Sequence, residues 1–238
     1  MRLEIGQLKN LVLAPKKISS VFGDINLAKL VVSELSKTSV EDIVTQKELD
    51  TIKILLGNNK NITSLRGVEN LANLRCLYLS DNKIRDISPL VILKKLKTLN
   101  LENNQISDIA SLARLKSLKM LCLSNNRIST IKSLSELTNL SILDLNNNKI
   151  NDVSSLAHLK NLGGLYLSNN QISNVSSLCS LNSMEILDLS NNKIKDISPL
   201  SNLRYLGILN LNHNAIDQES TLNILKNMSL LRTTQILV

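Results

Sequence analysis

The stretch Leu118–Asn139, LKMLCLSNNRISTIKSLSELTN, decides the fold, because the chain repeats it on both sides at a fixed interval of 22 residues. Its apolar positions are Leu118, Leu121, Leu123, Ile128, Ile131, Leu134 and Leu137, and Asn126 is the polar position that every complete copy keeps. Seven complete copies begin at Leu74, Leu96, Leu118, Leu140, Leu162, Met184 and Leu206. Their asparagines are Asn82, Asn104, Asn126, Asn148, Asn170, Asn192 and Asn214. An eighth copy beginning at Ile52 is degenerate, with Gly57 and Lys60 where leucine and asparagine would stand. A fixed period in this range marks a solenoid, in which each unit buries its apolar side only against its neighbours.

The pattern L-x-x-L-x-L-x-x-N-x-I resembles the leucine-rich repeat. Alternation in Leu121-Cys122-Leu123 sends the leucines inward and Cys122 outward, as in a short strand, and successive strands stack into a parallel sheet. The turn after each strand leaves backbone donors and acceptors without partners inside a tight stack. An asparagine satisfies both kinds at once, so the column reads as a structural ladder. The expected fold is an α/β solenoid: a curved, right-handed array with a parallel concave sheet, a short 3-10 or irregular convex side and a helical N-terminal cap. The expected division is an extension over 1–14, the cap over 15–51, eight repeats over 52–227 and a terminal closure over 228–238.

Composition fits one elongated domain. Of 238 residues, 43% are hydrophobic but only 2% aromatic, with no Trp, so the core is aliphatic. The formal charge of +8 arises from lysines scattered among acids, with almost no aromatic residues to stack on bases, which excludes specific nucleic-acid recognition. No apolar run reaches the length of about 18 residues that a membrane span needs. Met1–Ala14 (MRLEIGQLKNLVLA) lacks the clean apolar core of a secretory signal. Cys76 and Cys122 lie two strands, or about 10 Å, apart, beyond disulfide reach, and Cys179 lies elsewhere on the coil. Three free thiols suit a reducing compartment, so the sequence as it reads is expected in the cytoplasm.

Ahead of the array, Asp24 or Asn26 can cap a helix with apolar residues Leu27, Leu30, Val31 and Leu35, and Thr45 with Glu48 has capping-box spacing. A solenoid needs such a cover over its first coil. At the far end Asp217–Met228 reads as a helix and Leu230–Val238 as a last strand. The order Val21-Phe22-x-Asp24, Leu27-Ala28, then Ser39-Val40-x-Asp42-x-Val44-Thr45-Gln46-x-Glu48-Leu49-Asp50, then a 22-residue array with Asp86-Ile87-x-Pro89-Leu90, is similar to the internalin family of Gram-positive bacteria. The likeness runs over about residues 15–225. It implies a concave sheet that binds another protein, often a host receptor, and a secreted or surface location; internalins usually also carry a signal peptide, an immunoglobulin-like module and often a wall anchor.

No catalytic constellation is visible: His158 and His213 fall at unrelated places, and Asp144 and Asp188 are again about 10 Å apart with Tyr166 between them. The column Asp86, Asp108, Asp152, Asp196 sits beside a turn in each coil, where local capping accounts for it. Neither a metal nor a cofactor is expected. Function is sought on the outward face of the sheet. Its N-terminal half offers a basic edge, Lys53, Arg75, Lys97 and Lys119, beside Tyr78, Asn100 and Glu102. Its C-terminal half offers Ile142, Asp144, Gly163, Gly164, Tyr166, Glu185, Ile186, Asp188 and Ile208. Gly164 interrupts a column of isoleucines, so the face should dip there between exposed aliphatic side chains rimmed by acids, the anatomy of a protein-binding hot spot. The reading is a noncatalytic module, monomeric when free, that binds a protein on its concave face. Two other readings keep the fold: an intracellular regulator resembling the 22-residue-repeat subunits of protein phosphatase type one, and a scaffold without a single partner.

Overall fold

In the computed structural model of the chain, residues 14–216 and 235–237 are described. Nearly all of the expected extension over 1–14, and the helix expected over Asp217–Met228, lie outside the described residues; of the C-terminal closure only a strand at Gln235–Leu237 is described.

Each repeat contributes one three-residue strand. These are β3 Ile54–Leu56, β4 Cys76–Tyr78, β5 Thr98–Asn100, β6 Met120–Cys122, β7 Ile142–Asp144, β8 Gly164–Tyr166, β9 Ile186–Asp188 and β10 Ile208–Asn210. With β11, Gln235–Leu237, they form one nine-stranded sheet in sequence order, and all of its strand pairs are parallel. The shift between neighbours is 22 residues from β3 through β10, as Leu121↔Leu143 and Leu143↔Leu165 show. The middle residue of every strand from β3 to β10 points inward and is fully buried. The opposite side of the coil carries short 3-10 helices such as Ser88–Ile92, Ser154–His158 and Ser198–Asn202. All seven apolar positions of the central copy are 0–1% exposed, because each coil closes over the leucines of the coil before it.

The turns are held by side-chain amides. Asn148 Nδ2 donates across the carbonyls of Leu123 (3.0 Å), Leu145 (3.1 Å) and Asn146 (3.1 Å), while its Oδ1 accepts from Ile128 N–H (3.0 Å). Asn82, Asn104, Asn126, Asn170, Asn192 and Asn214 repeat this set. Asn126 and Asn214 are only half-buried, so the ladder is shielded less at those two rungs. The residue before each rung is left-handed, with φ between 52° and 58° at Asp81, Asn103, Asn125, Asn147, Asn169, Asn191 and His213. Asn, Asp and His tolerate that region better than other residues with a side chain, so a second column is fixed by backbone strain.

The cap comprises α1 Ile18–Val21, α2 Ile25–Glu34 and α3 Gln46–Leu49, with β1 Lys16–Lys17 paired antiparallel to β2 Ile43–Val44. Asp24, not Asn26, caps α2: its Oδ1 accepts from Asn26 N–H (2.8 Å) and Leu27 N–H (3.2 Å). Its Oδ2 accepts from Thr63 N–H (2.7 Å), Thr63 Oγ1 (2.8 Å) and Ser64 N–H (3.3 Å), which bolts the cap to the first coil. Burial pushes this carboxyl upward, but the donors of Thr63, Leu27 and Asn26 outweigh it and hold it below the usual range. Thr45 and Glu48 form a reciprocal capping box on α3. The degenerate copy has a steric cause: a Cβ at Gly57 would lie 2.7 Å from Leu30 and 2.8 Å from Leu79, so the helix leucine occupies the space that the missing repeat leucine would fill. Gly67, at φ 104°, approaches the Val21 carbonyl so closely that a Cβ would stand 2.5 Å from it.

Two outcomes are expected. Asn148→Ala should lower stability by about 1–3 kcal/mol by leaving buried groups unpaired, read as a shifted denaturant midpoint; an unmoved midpoint would show that the rung carries no load. The Lys37 ammonium at 2.6 Å, with Thr45, pulls Glu48 down to about 2 from an ordinary value near 4.5. The stability Glu48 contributes is therefore complete above about pH 4.5 and lost as pH falls through about 2. Because the pair is 21% and 38% exposed, its worth is well under about 1 kcal/mol at physiological salt. Glu48→Gln should flatten the acid limb of a pH–stability curve, and an identical limb in the variant would rule the linkage out.

Candidate functional site

The outward positions of the sheet form two stacked columns. The first residue of each strand gives Ile54, Cys76, Thr98, Met120, Ile142, Gly164, Ile186 and Ile208. The third gives Leu56, Tyr78, Asn100, Cys122, Asp144, Tyr166, Asp188 and Asn210. One residue before each strand runs an edge column, stacked by Arg75 N–H to Lys53 O (2.7 Å), Lys97 N–H to Arg75 O (2.7 Å) and Lys119 N–H to Lys97 O (2.8 Å). It continues through Ser141, Gly163, Glu185 and Gly207, so it is cationic over four rungs and then neutral or acidic. All four cations are exposed and have no ion pair among the described residues.

Ile142, Asp144, Gly164, Tyr166, Ile186 and Asp188 occupy three adjacent strands, and Ile208 joins them on the fourth. Tyr78 and Asn100 are not with them; they sit on β4 and β5, separated from Asp144 by β6. The isoleucines are less open than the alternation implies: Ile208 is 39% exposed, but Ile142 and Ile186 are half-buried against their neighbours in the column. The dip is also displaced. Gly164 is buried because the Tyr166 ring leans along its own strand, bringing Cε2 within 3.4 Å of where a Gly164 Cβ would stand. What remains open is a hollow of about 380 Å³ with Gly163 and Gly164 at its base, Ile142 and Ile186 on either side, and Ser141, Asn161, Ser183 and Glu185 around the edge.

The polar members of the third column work partly for the fold. Asn100 Oδ1 accepts from Glu102 N–H (2.9 Å), Asp144 Oδ1 from Asn146 N–H (3.0 Å), and Asp188 Oδ1 from Ser190 N–H (2.9 Å) and Ser190 Oγ (2.7 Å). Each caps its own strand-exit turn. Burial pushes the Asp144 carboxyl up, and the charge of Asp188 two strands away adds to this. Burial, then the charges of Asp144 and Glu102, pushes the Cys122 thiol to about 11, so it stays protonated. Cys76, Cys122 and Cys179 are free thiols. Among the aspartates beside the convex turns, Asp86, Asp108, Asp152 and Asp196 each accept from the N–H two residues on, at 2.8 Å. His158 ends a convex 3-10 helix, and His213 stands in the left-handed column.

Sequence reasoning overlooked three exposed side chains. Ile54 (48%) and Leu56 (60%) make the outward face of β3 wholly aliphatic, and Tyr205 (73%) stands one repeat beyond Ser183 on the edge beside the hollow. The signal was present in the degenerate copy, whose strand ILL is apolar at all of its positions.

Comparison with known proteins agrees with this architecture. A family profile described as leucine-rich repeats (two copies) matches residues 72–114, 116–158 and 160–202, and one described as bacterial adhesion/invasion protein N terminal matches residues 9–50. The solved structure of internalin C2 from Listeria monocytogenes is 37% identical with a TM-score of 0.87, over 93% of this chain and 97% of that one. An internalin (inlF) from the same organism is 34% identical with a TM-score of 0.89, over 95% of this chain and 68% of that one. The chain belongs to the internalin family. A leucine-rich repeat protein of Leptospira interrogans is also similar, at 29% identity and a TM-score of 0.70, over 80% of this chain and 50% of that one. No curated protein matches. As an internalin, the chain has the kind of fold that serves as a protein-interaction module, and no helix among its described residues is long and apolar enough to cross a membrane.

Asp144 provides a test of how its column is balanced. Its raised folded value means that the native state holds the proton more readily than the unfolded chain does. Its charge therefore costs stability above the folded value, and the cost is gone below the ordinary value near 3.8. Asp144→Asn keeps the acceptor for Asn146 N–H and should raise the melting temperature at pH 7 but not at pH 3. A lower melting temperature at pH 7 would show that the carboxylate is stabilising instead.

Proposed function

We propose that this internalin is a noncatalytic module that seats a partner protein on the concave face of its sheet. The contact is centred on Ile142, Asp144, Gly164, Tyr166, Ile186, Asp188 and Ile208, with Tyr78 and Asn100 extending the face toward the cap. The observation that carries this reading is the clustering of partly exposed Ile142, Tyr166 and Ile186 around a hollow across β7–β9, with Ile208 beside them on β10, at outward positions of the sheet. Partly exposed apolar groups with a polar rim are where binding energy concentrates. The row Lys53, Arg75, Lys97 and Lys119 lies beside the same face and draws in an acidic region of the partner. Nothing on the described surface favours the phosphatase-regulator or scaffold readings over this one.

A photo-crosslinking pair tests it. Benzoylphenylalanine placed at Ile208, on the concave face, should give an adduct with one protein species, drawn from the organism's own extract or from host-cell surface proteins. The same group at Ile92, 47% exposed on the convex side, should not. Adding Ile186→Lys should abolish the Ile208 adduct without moving the unfolding midpoint. Equal adducts from both faces, or an adduct that survives Ile186→Lys, would place the docking surface elsewhere.

A further inference from the structure

The hollow at Gly163 and Gly164 has a shape and charge that select its occupant. In each other repeat the edge column or the first strand column carries a side chain at this level; in this repeat both are glycine at once. The result is an open slot across the sheet edge. Ile142 and Ile186 stand two strands apart, about 10 Å between backbones, and flank a gap that the tip of the Tyr166 ring fills over Gly164 and that stays open over Gly163. Tyr166 closes the inner end, with its hydroxyl 3.7 Å from the position a Gly164 Cβ would take. Ser141, Asn161 and Ser183 supply neutral polar atoms at the outer end. Glu185 stands exposed directly beside Gly163 in the edge column, with no ion pair among the described residues. Flanking Tyr166 on the strands to either side are Asp144 and Asp188.

The walls are thus apolar, the inner end aromatic, and the sheet-face charges on the slot's own three repeats, Asp144, Glu185 and Asp188, negative, with the edge cation Lys119 one rung beyond Ser141. An aliphatic occupant would cover Glu185 without a partner and pay its desolvation. An acidic occupant would be repelled by three carboxylates. Lysine matches the charge but offers a point cation. A guanidinium is flat, stacks on an aromatic ring and forks onto a carboxylate with two parallel donors. A volume of about 380 Å³ is small for a ligand pocket and suits one long side chain.

We infer that the Gly163–Gly164 slot is the anchor pocket for one arginine side chain of the partner protein, its stem between Ile142 and Ile186, its guanidinium on Tyr166 and paired with Glu185. This rests on the concave-face reading and names the chemistry that face selects.

The test is a titration of the isotope-labelled full chain, followed by backbone amide resonances, with Nα-acetylarginine N-methylamide as probe and the citrulline derivative as its neutral isostere. The arginine probe should move the Gly163 and Gly164 amides saturably, and citrulline should bind about tenfold more weakly, the difference between a charge-assisted and a neutral hydrogen bond. Glu185→Gln should remove most of that preference. Gly163→Leu should abolish the response, and it should fold, because a Cβ at Gly163 meets nothing nearer than 3.7 Å. The inference is overturned if the two probes act equally, if the largest shifts fall outside β7–β9, or if no shift appears at the highest soluble probe concentration. The failures separate: a crosslinked partner lost in Ile186→Lys but unaffected by Gly163→Leu removes the arginine and keeps the docking face. Loss of the crosslink specificity itself removes the docking face.

Discussion

The structure depends on a single demand: each coil ends its strand in a buried turn whose polar backbone atoms cannot reach water. An asparagine answers it because one side chain offers both a donor pair and an acceptor. Asn148 joins its own coil, through the Leu145 and Asn146 carbonyls, to the preceding one, through Leu123 O and Ile128 N–H. Every rung therefore completes its neighbour's turn as well as its own, and an insertion at any coil would take the donor away from two turns at once. The left-handed residue before each rung is part of the same turn and recurs with it in all seven copies.

A ladder of this kind leaves its ends open, and the N-terminal end shows how the gap is closed. The first coil has Lys60 at the rung position, and Asn82 serves it from the next coil by accepting from both Lys60 N–H and Ile62 N–H. On the far side, Asp24 accepts from the Thr63 and Ser64 amides, so a carboxylate in the cap supplies an acceptor, though not the donor pair, that an asparagine supplies between repeats. Leu30 entering above Gly57 completes the apolar part of the same substitution. The cap thus imitates a preceding coil in both its polar and its apolar contacts, using a helix to do so.

These arrangements explain which features could be read in advance. The period, the strand alternation, the capping box at Thr45 and Glu48 and the aspartates beside the convex turns are local patterns, and local patterns survive in a linear text. The reason for Gly57 does not, because its neighbour Leu30 lies on another element and only the packed cap brings them together. The left-handed column hid inside the Asn-Asn pairs, where the rung drew attention and its predecessor looked like repetition. On the sheet face, register showed which residues share a column, but not that Tyr166 lies along its strand over Gly164. That choice belongs to a side-chain torsion, and it moved the opening toward Gly163 and the edge. Exposure was misjudged for a related reason: Ile142 and Ile186 alternate outward, yet parallel neighbours at strand spacing cover much of them.

With inward positions committed to the core and turn positions to the ladder, the freedom left for recognition is smaller than the outward face suggests. Asn100, Asp144, Asp188 and Asn210 spend one oxygen each on their own turns, so the third column is partly structural. The first strand column and the edge column carry the least of that burden. There the sign of charge changes once, from Lys53 through Lys119 to Glu185, across the neutral rungs of Ser141 and Gly163. A row of cations at strand spacing acts over a Debye length of about 8 Å and is weakened by salt, whereas a slot lined by isoleucines acts only on contact. The two halves of the face therefore differ in kind. Under the proposed docking, the cap-proximal half attracts an acidic surface from a distance, and the distal half tests its fit. A partner whose charges run the opposite way can satisfy both in only one direction along the solenoid, so in that docking one gradient governs both encounter and orientation.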